Sequence, residues 1–225
     1  MFRFILLLSV GVPFLAGCNT SGVEDTSGVG DSGGVKGSGI KASETRDVPT
    51  FTGVELNGSA IVVVNVGKEQ KVTVEVDDNL MHVITTKVKE NKLVIGSKQL
   101  YSTRIGVHVT IQVPELTSFG VSGSGSAALK DVKGESLDVR ISGSGSATVS
   151  GGVQSLTVRV SGSGSAKLSE LTAKKVSAGV SGSGNVRVHA TESLDATVVG
   201  SGSVRYRGSP QVTKKVSGSG SVSAE

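Results

Sequence analysis

The sequence predicts an all-β protein whose residues 117–225 wind as a right-handed parallel β-helix, a solenoid of about six coils, preceded by a more irregular β region. Three observations carry this. A Gly-Ser-Gly-Ser block begins at Gly123, Gly143, Gly162, Gly200 and Gly218, with Gly182-Ser183-Gly184-Asn185 as a close variant. Successive starts lie 20, 19, 20, 18 and 18 residues apart, the period of a stacked repeat. Apolar residues alternate on both sides of each block: Leu137, Val139 and Ile141 before Gly143, then Ala147 and Val149 after it. One strand therefore enters each block and another leaves it, each sending every second side chain inward.

An antiparallel meander would need a hairpin in every repeat, whereas a parallel coil returns equivalent positions once per turn. Coils then stack about 4.8 Å apart, so like residues form ladders along the axis. The crossover rule favours the right hand. A single coil of two strands, with about five inward side chains, buries too little to offset the entropy of ordering it, so the coils must stabilise one another. Composition agrees. Glycine is abundant at 32 residues, tryptophan is absent and aromatics make up 3%. No three-residue period suggests collagen, and the interleaved Val and Ile argue against disorder.

The chain opens on MFRFILLLSVGVPFLAGC, with one basic residue, Arg3, and an apolar run from Phe4 to Leu15. Residues 1–17 read as an export signal, too short for a membrane span of roughly 20 residues. Leu15-Ala16-Gly17-Cys18 resembles a bacterial lipobox, which makes Cys18 the acylated first residue of the mature protein. Cys18 is the only cysteine, so no intrachain disulfide can form. Attachment through several acyl chains would be stable, because one chain alone is marginal. Asn19, where a retention aspartate would otherwise stand, favours the outer membrane. Residues 18–47 are expected to form the lipidated N-terminus and a flexible Gly, Ser and Asp-rich tether with a mean reach of roughly 30 Å.

Residues 48–225 are expected to form the folded domain. Between Val48 and Pro114 the period is two, with β-branched strands at 61–66, 72–76, 93–95 and 107–113. Gly67-Lys68-Glu69-Gln70, Asp77-Asp78-Asn79 and Glu90-Asn91-Lys92 are turns between them.

The Gly-Ser block is most simply a corner, since glycine alone reaches positive φ cheaply. Its serines are expected to bond to turn backbone and to equivalent serines one coil away. A phosphate loop would need Lys and Ser or Thr after the last glycine, and these blocks run into Ala or Val. A calcium β-roll would need aspartates inside the repeat. His82, His108 and His189 lack metal-ligand spacing, and no repeated carboxylate ladder suggests acid–base chemistry. No cofactor and no catalytic residue is expected. Asp77 and Asp78 read as solvated turn carboxylates.

One ladder stands out. Lys167, Arg187 and Arg205 fall five residues after three consecutive block starts, facing outward, and His189 and Arg207 lie two residues further on. Like charges roughly 5 Å apart repel, so this stripe should draw an anionic partner such as a glycan or a lipopolysaccharide phosphate. The bland reading is a solvated face softened by Glu170 and Glu192. The net charge of +4 is no nucleic-acid signature. Lys214 stands where other coils carry an inward apolar residue, as an edge-blunting charge or a frayed repeat.

The leader, the Thr-Phe-Thr-Gly-Val-Glu-Leu-Asn-Gly-Ser-Ala opening at 50–60 and the repeated Val-Ser-Gly-Ser-Gly-Ser-Ala together resemble one family. It is the putative auto-transporter adhesin, head GIN domain family of bacterial exported proteins, and the resemblance spans about residues 48–222. Val199 before Gly200 and Asn185 in the fourth block depart from its pattern. The resemblance implies a β-helical, non-enzymatic, envelope-located domain with no catalytic residues. The expected function is a lipid-anchored adhesin or surface-binding module. A glycan-active β-helix enzyme and a periplasmic scaffold or sensing module stay open, as does the oligomeric state.

Overall fold

The computed structural model describes residues 34–225, so the leader and Cys18 lie outside the described residues. Strands β1 (Val35–Lys36), β2 (Lys41–Arg46), β3 (Gly53–Gly58), β4 (Ile61–Val66) and β5 (Lys71–Asp77) come first. A 3-10 turn, Asp78–Leu80, leads to β6 (Ile84–Lys89), β7 (Lys92–Ser97), β8 (Tyr101–Ser102), β9 (His108–Val113) and β10 (Ser118–Gly123). Four long strands follow: β11 (Ser126–Gly143), β12 (Ser146–Gly162), β13 (Ser165–Gly182) and β14 (Asn185–Gly200). The chain closes with β15 (Ser203–Arg207), β16 (Gln211–Ser217) and β17 (Ser221–Ala224).

From β10 onward the protein is the parallel β-solenoid that the repeat predicts. Each long strand bends through a full coil and pairs with the next, with a register shift after the leaving segment and an unbroken register along the entering one: Leu137, Val139 and Ile141 stand opposite Leu156, Val158 and Val160, and those opposite Val176, Ala178 and Val180. All of these are buried. Between the leaving strand and the next entering one the coil has a further short inward run, seen at Val132, Val153, Leu171 and Ala173. The two-strand coil is thereby corrected to three runs. The coil of β12 buries Ala147, Val149, Val153, Leu156, Val158 and Val160, one more than expected.

The corners explain the block residue by residue. Gly143 has φ 107°, and a Cβ there would lie 2.7 Å from the carbonyl oxygen of Gly123 on the coil below. At Gly145 a Cβ would come within 2.6 Å of the inward Val121 and 2.8 Å of the Gly125 oxygen. Both block glycines are therefore fixed by close stacking of backbone on backbone. The serines do something other than expected. Their amides, not their hydroxyls, stitch the corners: Ser144 N–H donates to Gly123 O and Ser146 N–H to Gly125 O, both at 3.0 Å, and the corners at Gly162, Gly182 and Gly200 repeat the pattern, while at Gly218 the Gly220 amide takes the place of the first serine's. Among the described residues the one side-chain bond between block positions is Ser203 Oγ to Asn185 Oδ1, at 2.7 Å. The hydroxyl ladder is thus replaced by an amide ladder, which needs no particular side chain.

The irregular region turns out to belong to the same stack, out of chain order. β3 pairs parallel with β10 so that Gly58 sits beneath Gly123, and β4 pairs parallel with the start of β11. Asn57-Gly58-Ser59-Ala60 is thus a corner of the same length, with Ala60 where the later corners carry their second glycine. β7 and β9 then pair parallel with β3 and β4 on their far side. Antiparallel strands close that end: β6 on β7, β5 on β9, and β2 on β5. The β6–β7 hairpin turns through Glu90 and Asn91, both with positive φ, as a two-residue hairpin turn requires.

β2 corrects one domain boundary. The expected tether to residue 47 instead contributes β1 and β2 to the folded unit, which runs Gly33–Glu225. Lys41–Arg46 lacks an apolar period because both of its faces are largely exposed, so the pairing that places it leaves little trace in its composition. Asp77 is corrected as well. It is fully buried at the end of β5, where its carboxylate accepts bonds from the Gly39 amide at 2.6 Å and from the Thr103 hydroxyl.

Candidate functional site

The cationic ladder is assembled as the spacing predicts. On the face formed by the leaving strands Lys167 pairs in register with Arg187, and Arg187 with Arg205. His189 stands beside Arg207 in the same way. Alternation sends Ala166, Val186 and Val204 into the core and leaves Lys167, Arg187 and Arg205 outside and exposed. A second outward row, Ser165, Asn185 and Ser203, runs parallel to the cations. The two rows border a shallow groove of about 230 Å³. Cations along one wall and hydroxyl or amide groups along the other can bind a chain of anionic groups repeating at about the coil spacing.

His189 is half-buried and its Nδ1 lies 3.4 Å from the Thr172 hydroxyl, so it sits at the rim and not in the groove. Neither expected softening residue forms an ion pair among the described residues. Glu225 does so instead. Its carboxylate lies 3.5 Å from Arg187 Nε and 2.7 Å from Arg207 Nε, and its amide donates to Tyr206 O at 2.9 Å. The side chain is 19% exposed. One carboxylate thus bridges two of the four Lys and Arg side chains of the ladder, while Lys167 and Arg205 form no ion pair among the described residues. Glu225 was legible in principle, because it stands seven residues after Gly218, the register position of His189 and Arg207. The last coil is too short to show the repeat, and this hides it.

No group of three His, Cys, Asp or Glu side chains is placed to hold a metal ion among the described residues. His108 is spent locally, its Nε2 lying 3.2 Å from the Ile105 carbonyl.

A β-solenoid that sets side chains in ladders along flat faces defines a class of proteins built around extended surfaces. The family within that class is shown by sequence. The chain belongs to the family described as putative auto-transporter adhesin, head GIN domain, whose model matches residues 50–210. Solved structures share the fold. A crystal structure titled as a putative adhesin from Bacteroides fragilis superposes with a TM-score of 0.67 at 23% identity, covering 85% of this chain and 99% of its own. Two proteins from Parabacteroides distasonis, described as a putative lipid binding protein and a putative adhesin, each give a TM-score of 0.54 at 23% identity over 85% of this chain and 99% of theirs. At these identities the likeness is one of fold. No curated protein matches the chain in sequence.

Proposed function

We propose that this protein is a non-enzymatic, adhesin-like module of the bacterial envelope, anchored to the outer membrane through acylated Cys18, whose solenoid binds an anionic glycan or envelope polymer along the basic ladder. The observation that carries the reading is the register of Lys167, Arg187 and Arg205 beside Ser165, Asn185 and Ser203. Holding three like charges in one row is unfavourable for the isolated protein, and a polyanion reverses the sign of that interaction. Glu225 acts as an internal counter-charge with which the polymer must compete at Arg187 and Arg207. The arginine of each pair is about half exposed and so screened by solvent, and the competition is mild.

The test is binding of the full-length protein to polygalacturonate and to lipopolysaccharide at low salt. Changing Lys167, Arg187 and Arg205 together to Ser should weaken binding at least ten-fold. Glu225→Gln should strengthen it a few-fold, and both effects should shrink as salt shortens the screening length to about 8 Å. Unchanged binding by the triple variant would sink the reading.

A further inference from the structure

The face formed by the entering strands carries an outward row that is not uniform. In register along the axis it runs Glu55, Gly120, Arg140, Arg159, Gly179 and Thr197. Two glycines interrupt it, one on each side of an arginine pair, three coils or roughly 14 Å apart. Neither is needed by the fold. Both lie in extended strand without positive φ. A Cβ on Gly120 would meet Glu55 Cγ at 3.6 Å, and one on Gly179 would meet Arg159 Cγ at 3.8 Å, ordinary contacts with room to spare. Glycine in a strand interior lowers stability, and often marks a place where something else approaches the backbone.

Each glycine floors a groove, of about 160 Å³ over Gly120 and about 330 Å³ over Gly179. The polar walls are already oriented. Arg140 is held by Asp138 through paired bonds of 3.1 and 2.7 Å, and Asp138 also lies 3.7 Å from Arg159. Glu55 forms no ion pair among the described residues, and Asp195 and Ser177 line the groove over Gly179. The two grooves hold three carboxylates (Glu55, Asp138, Asp195) and three cations (Lys92, Arg140, Arg159), so together they are neutral, unlike the basic ladder.

We infer that the grooves over Gly120 and Gly179 are two subsites for one uncharged, hydroxyl-rich chain, a linear neutral glycan laid along the solenoid axis. Sugar hydroxyls accept from the guanidinium groups and donate to the carboxylates, while a ring seats over the bare peptide at each glycine. A peptide added as a strand is disfavoured, because β10 is already paired on both edges, with β3 and with β11. Phe119 lines the groove over Gly120 but is buried, so neither groove offers an aromatic platform; each subsite binds weakly, and affinity comes from engaging both at once.

The test uses the full-length protein against linear neutral gluco-, manno- and xylo-oligosaccharides of two and six units. At least one hexasaccharide should bind, and its disaccharide at least ten-fold more weakly. Gly120→Val and Gly179→Val should each weaken hexasaccharide binding at least ten-fold with thermal midpoints unchanged or raised, since a β-branched side chain suits the strand. The Lys167, Arg187 and Arg205 triple variant should leave this binding intact, so its outcome is independent of the anionic-polymer reading. The inference is overturned if no hexasaccharide binds, if the valine variants bind as wild type, if their midpoints fall, or if only peptides bind.

Discussion

Glycine plays two opposite parts in this protein, and the difference is set by what a methyl group would touch. At Gly143 it would strike the backbone of the coil below, at 2.7 Å from Gly123 O, with φ 107° compounding the strain. Gly143→Ala should therefore destabilise the fold by about 2–3 kcal/mol, seen as a lowered urea midpoint with unchanged slope. A variant as stable as wild type would mean that the corner relaxes freely. At Gly120 the methyl meets only the flexible Glu55 side chain, at an ordinary 3.6 Å, so a side chain there should cost no stability. In sequence the two glycines look alike, and only the flanking register separates a corner glycine from a strand glycine.

At the scale of elements, β1 is held by β8 and β2 by β5, while the link between them is pinned at the end of β5. Asp77 accepts from Thr103 near β8 and from Gly39 before β2, while the Asp78 amide donates to Ile40 O at 2.9 Å. The Thr103 hydroxyl, and after it the Gly39 amide, hold the Asp77 carboxyl below its ordinary 3.8, against the upward push of burial. The stabilisation is complete above that ordinary value and is lost as pH falls through the lowered folded value. Thermal melts between about pH 2 and pH 6 should show an acid-side decline that Asp77→Asn flattens, together with lower stability of the variant near neutrality. An identical decline in both proteins would remove Asp77 from this role. The apolar alternation of Val72, Val74 and Val76 is plain in the chain, but the partners of β5 are not. β2 is polar, and β9 lies more than thirty residues downstream.

Across the whole molecule the two ends of the stack differ. One is closed by antiparallel strands, whereas among the described residues β16 pairs only β14 and β17 only β15, with Val212 and Val216 36% and 42% exposed. Lys214 sits in the inward row opposite Ala196 and is exposed, with no further coil over it among the described residues. An inward charge on a free edge opposes pairing with another edge. Lys214→Val should therefore shift the protein toward larger species in sedimentation velocity at matched concentration, and an unchanged profile would leave the lysine without this role.

The sequence by itself determined the corners, the inward ladders and the cationic row, because a fixed period with alternating side chains places equivalent residues on one face whatever the rest of the chain does. The tertiary structure decided three things. It placed β3 and β4 second in the stack, between β10 with β11 and β7 with β9; it turned part of the expected tether into β2; and it laid Glu225 against Arg187 and Arg207. The first two depend on pairings between strands of unlike sequence, where hydrogen bonds between backbones select the partner and the side chains leave no repeat to read, and the third on a coil too short to display the repeat it follows.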